Sequence, residues 1–111
     1  MRFKFRHWDK RINKMFYPER NDNFGYYVNN SDIIETMQCT GLKDKNGKLI
    51  YEGDVVKDDH EALHQVKWCY NCFELYPLFK NGYTIGIVND EIEVIGNIYE
   101  NSELLEVENE R

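Results

Sequence analysis

The stretch Thr40–Val56, TGLKDKNGKLIYEGDVV, places two turn signals and the opening of a barrel-type strand side by side. Asp44-Lys45-Asn46-Gly47-Lys48 reads as a hairpin tip, because Asn and Gly accept positive φ at low steric cost. Glu52-Gly53-Asp54 reads as a second reversal that runs directly into the β-branched pair Val55-Val56. These residues specify shape, and no catalytic group stands among them. The sequence therefore announces an architecture before it announces any reaction.

N-terminal to this stretch, Ile33 to Cys39 reads as an extended segment leading in. Arg2-Phe3-Lys4-Phe5-Arg6-His7-Trp8 alternates polar and apolar with period two, the pattern of a half-buried strand with Phe3 and Phe5 inward. Asp9-Lys10-Arg11 turns the chain. Met15-Phe16-Tyr17 is the returning strand, stopped by Pro18. Residues 19–32, ERNDNFGYYVNNSD, are polar and Asn-rich around Phe24, Tyr26 and Tyr27. They predict a loop with room for one short strand at Tyr26-Tyr27-Val28.

C-terminal to it, the barrel pattern continues. Gly53 to Lys57 begins a strand after a tight turn. Gln65-Val66-Lys67-Trp68 puts Val66 and Trp68 on one face, and Phe73 and Leu75 share a face before Pro77 weakens the run. Tyr83 to Val88 predicts a further strand or an extended loop. Ile92 to Tyr99 is the closing strand, with Gly96 marking a bulge or bend. Asn101 or Ser102 caps a short terminal helix in which Leu104 and Leu105 pack back. Short strands punctuated by turns predict a sandwich or barrel, so the fold class is mainly β.

The chain has 111 residues, enough for one modest core and one domain. Aromatics make up 14% of it, which argues for a folded β-type domain over a disordered one. The net charge of −6 is unevenly spread. Residues 1–20 hold seven Lys/Arg against Asp9 and Glu19, a balance of +5, while residues 21–111 carry seven basic and eighteen acidic residues, a balance of −11. Arg2, Lys4, Arg6, Lys10, Arg11 and Lys14 are thus the candidate phosphate contacts of a nucleic-acid-binding reading. Against it stands the acidic remainder, which repels a duplex. A basic hairpin packed beside an acidic body is the plainer reading. No apolar run approaches the ~20 residues of a membrane span. Cys39, Cys69 and Cys72 are odd in number, which leaves one over from any disulfide framework and favours a reducing cytoplasm.

Two motifs invite a chemical reading. His60-Glu61-Ala62-Leu63-His64 spells H-E-x-x-H, in which a helix would aim His60 and His64 at zinc with Glu61 as general base of a hydrolase. The strand at Val66-Lys67-Trp68 follows almost at once, so a long buried helix has no room and the match reads as accidental. Cys69-Tyr70-Asn71-Cys72 adds two thiols, and with His60 and His64 makes four zinc-ligand types. Its plainer reading is a hairpin tip at Tyr70-Asn71. A thioredoxin-like role would need a helix N-terminus at the first cysteine. Trp8 and Trp68 sit in alternating strands and read as core. Asp9 and Asp54 flank turns, where carboxylates bond backbone N–H groups. No phosphate-cradling or nucleophile-elbow motif is present.

Four blocks carry a resemblance: Phe3 to Lys10, Met37 to Lys48, Ile50 to Val56 and Glu93 to Asn101. Together they resemble the YopX family, small proteins of bacteriophages and prophages, chiefly of low-GC Gram-positive bacteria. Residues 19–32 and 57–91 carry no part of the likeness. The resemblance implies a cytoplasmic phage-encoded protein with an SH3-like barrel in its C-terminal part, and it implies no reaction.

The expectation is one YopX-like domain over residues 1–111: an N-terminal hairpin and variable loop (1–39), an SH3-like barrel with a short terminal helix (40–105) and a frayed tail (106–111). The expected role is a non-enzymatic accessory protein that binds a host or phage protein, or a second copy of itself, and needs no cofactor. Nucleic-acid binding is the alternative and a metal-binding or hydrolytic protein the remote one.

Overall fold

The computed structural model describes residues 4–18, 24–69 and 71–107. Arg2, Phe3, Tyr70 and the end of the tail lie outside them. Two antiparallel sheets carry the fold. β1 (Phe5–Asp9), β2 (Lys14–Phe16), β3 (Ile34–Lys43) and β4 (Leu49–Tyr51) are ordered β2-β1-β3-β4. β5 (Asp54–Lys57), β6 (Leu63–Cys69), β7 (Cys72–Pro77), β8 (Ile85–Gly86) and β9 (Glu93–Asn97) are ordered β8-β7-β6-β5-β9 and curl into an SH3-like half-barrel. Helices α1 (Phe24–Asn29) and α2 (Glu103–Val107) are short. The class is mainly β, as expected.

Both turns of the 40–56 stretch form. Gly47 has φ +83° at the hairpin tip, and Gly53 has φ +87° between β4 and β5. Asp44 locks the tip: Oδ1 accepts N–H bonds from Asn46 and Lys48, each 2.9 Å, and Oδ2 accepts one from Val94 of β9 at 2.8 Å. Gly53 donates its N–H to the Val66 carbonyl at 2.9 Å and accepts from Ile98 at 3.0 Å, tying β6 to the end of β9. A Cβ there would stand 3.1 Å from the Met37 sulfur. The bulge foreseen at Gly96 is present: Val55 pairs with Gly96 and Val56 with Val94, which leaves Ile95 extra.

Two cores result. Ile50, Val56, Val66, Leu75, Ile92 and Val94 fill the half-barrel, each contributing about 1.5–3 kcal/mol through burial. Ile50 comes from β4, so the first sheet helps cover the second. Trp8, Met15 and Met37 make the smaller core, with Tyr99 packed on it. β3 runs through residues 39–40, so the hairpin and the barrel share one continuous strand.

The N-terminal segment corrects three expectations. β1 does form and pairs with β2, but Arg6 and Trp8 are the residues that face the second sheet, while Phe5 is only half-buried. The other face of β1 is covered by α1 instead of water, so the strand is buried on both sides. Tyr26-Tyr27-Val28 is helix, not strand. Phe24 and Tyr27, three apart, share the helix face that meets β1: Phe24 lies 4.7 Å from Phe5 and Tyr27 stacks at 3.8 Å on His7. β3 pairs along the full length of β1 and extends the hairpin into a sheet.

In the barrel, Trp68 shares a face with Val66 as read, yet it is 49% exposed, because β6 runs past the edge of the core. Trp8, 8% exposed, is core as expected. The segment from Tyr83 yields only the two-residue β8. Asn101 does not use its side chain to cap α2; that carboxamide oxygen accepts the Asn97 N–H, and the helix starts on the Asn101 and Ser102 carbonyls.

Candidate functional site

The residues singled out by type do not converge. Of the basic segment, Arg6 is 2% exposed and must be withdrawn as a phosphate contact. Its guanidinium bonds Asp54 at 2.9 Å, the Glu52 carbonyl at 3.0 Å and the Tyr17 hydroxyl at 3.4 Å, and lies 4.8 Å over the Tyr51 ring. Lys10 pairs with Glu35 and Arg11 with Asp9, each at 2.9 Å. Lys14 lies 5.6 Å over the Phe16 ring, and Lys4 is exposed. Arg2 lies outside the described residues. Among the described residues, Arg6, Lys10 and Arg11 thus have carboxylate partners within the molecule.

H-E-x-x-H is a turn followed by a strand, not a helix. Asp58 organises it: Oδ1 accepts the N–H groups of His60 and Ala62, and Oδ2 bonds His64 Nε2 at 2.8 Å. Glu61 sits at φ +64° at the apex. His64 is buried against Phe79, while the His60 side chain is 88% exposed, so the two do not share a face. Burial pushes Asp58 up, but the bonds from His64, Ala62 and His60 outweigh it and hold the carboxyl below its ordinary value. Cys69 and Cys72 face each other across the β6–β7 hairpin, with Asn71 at φ +71°. Among the described residues no group of three or more His, Cys, Asp or Glu is placed to hold a metal ion. The fold does not bring His60, His64, Cys69 and Cys72 together into such a group.

A different place brings polar and aromatic groups together. Where the two sheets meet, a cleft of about 290 Å³ opens. β3 supplies Glu35, Thr36 and Met37, the β4–β5 turn supplies Glu52 and Gly53, and β6 supplies Gln65 to Trp68. Ile98 and Tyr99, just beyond β9, complete it. The lack of a side chain at Gly53 keeps the cleft open toward Met37. Trp68 stands in its lining, set against Phe73 at 4.8 Å with 69° between the rings. Tyr99 stacks on Trp8 at 5.5 Å. Burial raises the Tyr99 hydroxyl above its ordinary value, the charges of Glu35 and Glu52 push it the same way, and the charge of Arg6 opposes them. Such an arrangement can hold a ligand against aromatic surface and negative charge.

The family model for YopX protein matches residues 18–106, most of the chain. The chain belongs to the YopX family. Its fold is similar to that in the crystal structure of protein EF1440 from Enterococcus faecalis. That likeness has a TM-score of 0.67 and 23% identity, and covers 95% of this chain and 99% of that one. At that identity it speaks for the fold. No curated protein matches the chain. Among the described residues no helix is long and apolar enough to cross a membrane.

Within the YopX fold, Asn97 explains why the Gly96-Asn97-Ile98-Tyr99-Glu100-Asn101 block reads so clearly. Its Oδ1 accepts N–H bonds from Tyr99 and Glu100, and its Nδ2 donates to Glu100 at 2.8 Å. Cleft residues such as Glu35, Gln65 and Tyr99 escaped sequence reasoning because they come from separate segments of the chain and carry no local spacing. The only sequence signal at Trp68 is a large aromatic near a strand end.

Proposed function

We propose that this YopX chain is a phage- or prophage-encoded accessory protein of the bacterial cytoplasm that works as a non-enzymatic interaction module, binding a host or phage protein through the intersheet cleft. The observation that carries the reading is the half-exposed Trp68, held in the cleft lining by Phe73. Aromatic anchors of this kind dominate protein recognition, because they bring large area at little entropic cost. The groups that might otherwise do acid–base work are engaged structurally. His7 bonds Thr36 at 2.8 Å under the Tyr27 ring, and burial lowers its pKa. Asp9, Asp44, Asp54 and Asp58 each hold backbone N–H groups. Three unpaired cysteines fit a reducing compartment.

The test is affinity capture from phage-infected cells with the tagged chain and its Trp68→Ala variant. The wild type retains a defined protein that the variant loses, while thermal melts of the two stay close. Recovery of the same proteins by both, or of none by the wild type, overturns the reading.

A further inference from the structure

We propose that the intersheet cleft takes the guanidinium group of an arginine side chain presented by the partner. This rests on the interaction-module reading and adds the chemistry of what enters.

Size comes first. At about 290 Å³ the cleft stands at the lower end of small-molecule sites and suits one long side chain better than a folded element. Charge comes second. Glu35 and Glu52 both line it. Lys67 lines it as well, but its ammonium lies 4.0 Å over the Tyr76 ring, drawn toward β7. The negative charge of the cleft is thus left largely uncompensated by Lys67, in a chain whose net charge of −6 draws cations in.

Glu35 already accepts a cation, since Lys10 reaches it at 2.9 Å. Both side chains of that pair are more than two-fifths exposed, 44% and 42%, and exposed pairs are worth little, about 0–1 kcal/mol. An incoming cation with better geometry exchanges with Lys10 at small cost. Glu52 is held lightly, accepting the Gln38 N–H at 3.4 Å.

Shape and surface decide between the two basic side chains. Trp68, half-exposed, lines the same cleft as the two glutamates. A guanidinium is planar and weakly hydrated, stacks on an indole and forks onto carboxylate oxygens. An ammonium is a strongly hydrated point charge that uses neither property as well. Arginine therefore fits the aromatic wall and the acidic wall together.

The experiment titrates the full ¹⁵N-labelled chain at low ionic strength with the blocked peptide Gly-Arg-Gly, with its citrulline counterpart and with Gly-Lys-Gly. Citrulline keeps the shape and removes the charge. The arginine peptide gives saturable shifts at the Gly53 and Val66 amides and the Trp68 indole N–H. Roughly tenfold weaker response is expected for citrulline, and for the arginine peptide on Glu52→Gln, from loss of a charge-assisted bond. Glu52→Gln keeps an oxygen for the Gln38 N–H; should it nevertheless fail to fold, Trp68→Ala serves, with the same loss expected. The absence of saturable shifts, an equal response to citrulline, or undiminished binding by the variant overturns the proposal. Equal binding of the lysine peptide overturns the guanidinium assignment. Failure of the arginine peptide alongside intact Trp68-dependent capture removes only the arginine chemistry, whereas loss of that capture removes the module itself.

Discussion

Asp44 and Asp54 are both buried carboxylates, and their pKa values move in opposite directions. Burial raises Asp44, but N–H bonds from Val94, Lys48 and Asn46 outweigh it and leave it below its ordinary value. Burial raises Asp54 too, and there it exceeds the pull of Arg6 and of the Tyr51 N–H. The linkage signs differ accordingly. Asp44 contributes stability that is present above the ordinary carboxylate pKa and is lost as pH falls through its lower folded value. The contribution of Asp54 is full below the ordinary value and is lost as pH rises through its higher folded one. Asp44→Asn has one acceptor oxygen where three N–H groups converge, so it costs about 1–3 kcal/mol at neutral pH. Urea melts at about pH 7 and about pH 2.5 check this: the gap to wild type narrows in acid, and an unchanged gap refutes the account. Asp44 was legible as part of a hairpin tip. Its bond to Val94 was not, because that partner stands fifty residues along the chain.

At the scale of elements, the turn Asp58–Ala62 gives the histidines unequal weights. His64→Ala removes a buried ring from Asp58 and Phe79 and costs about 2–4 kcal/mol. His60→Ala, at an exposed position, stays within about 0.5 kcal/mol. Thermal melts of both variants, with and without equimolar zinc, test the assignment. A metal pair would make the two substitutions equivalent and raise the wild-type midpoint with zinc. Here the substitutions differ and zinc leaves the midpoint in place. Strands and hairpins were readable because period-two alternation and Asn-Gly chemistry are local. α1 was not readable: six residues are too few to show a helical period, and the helix exists to cover Phe5 and His7. The face of Trp68 followed from alternation, but its exposure depends on where the sheet stops covering it.

Across the whole molecule, two ion pairs tie the basic start to the acidic remainder. Arg6–Asp54 joins β1 to β5, and Lys10–Glu35 joins the β1–β2 turn to β3. Ile50 carries the first sheet into the barrel core, and Asp44 bonds β9. The two sheets accordingly unfold together. In urea, tryptophan fluorescence and far-UV circular dichroism trace one coincident transition; separate midpoints would show the hairpin sheet melting as an independent unit.

The β6–β7 hairpin also governs how readily its exposed thiol reacts. Cys72 is exposed, but its thiol bonds Glu74 at 3.4 Å and the Cys69 carbonyl at 3.3 Å, and the Glu74 carboxylate above all pushes its pKa up. Since only the thiolate attacks electrophiles and peroxides, its exposed sulfur is more sluggish than an ordinary surface cysteine. Alkylation of Cys72 at neutral pH is accordingly slower than that of an unperturbed exposed thiol, which a timed iodoacetamide reaction followed by mass spectrometry checks.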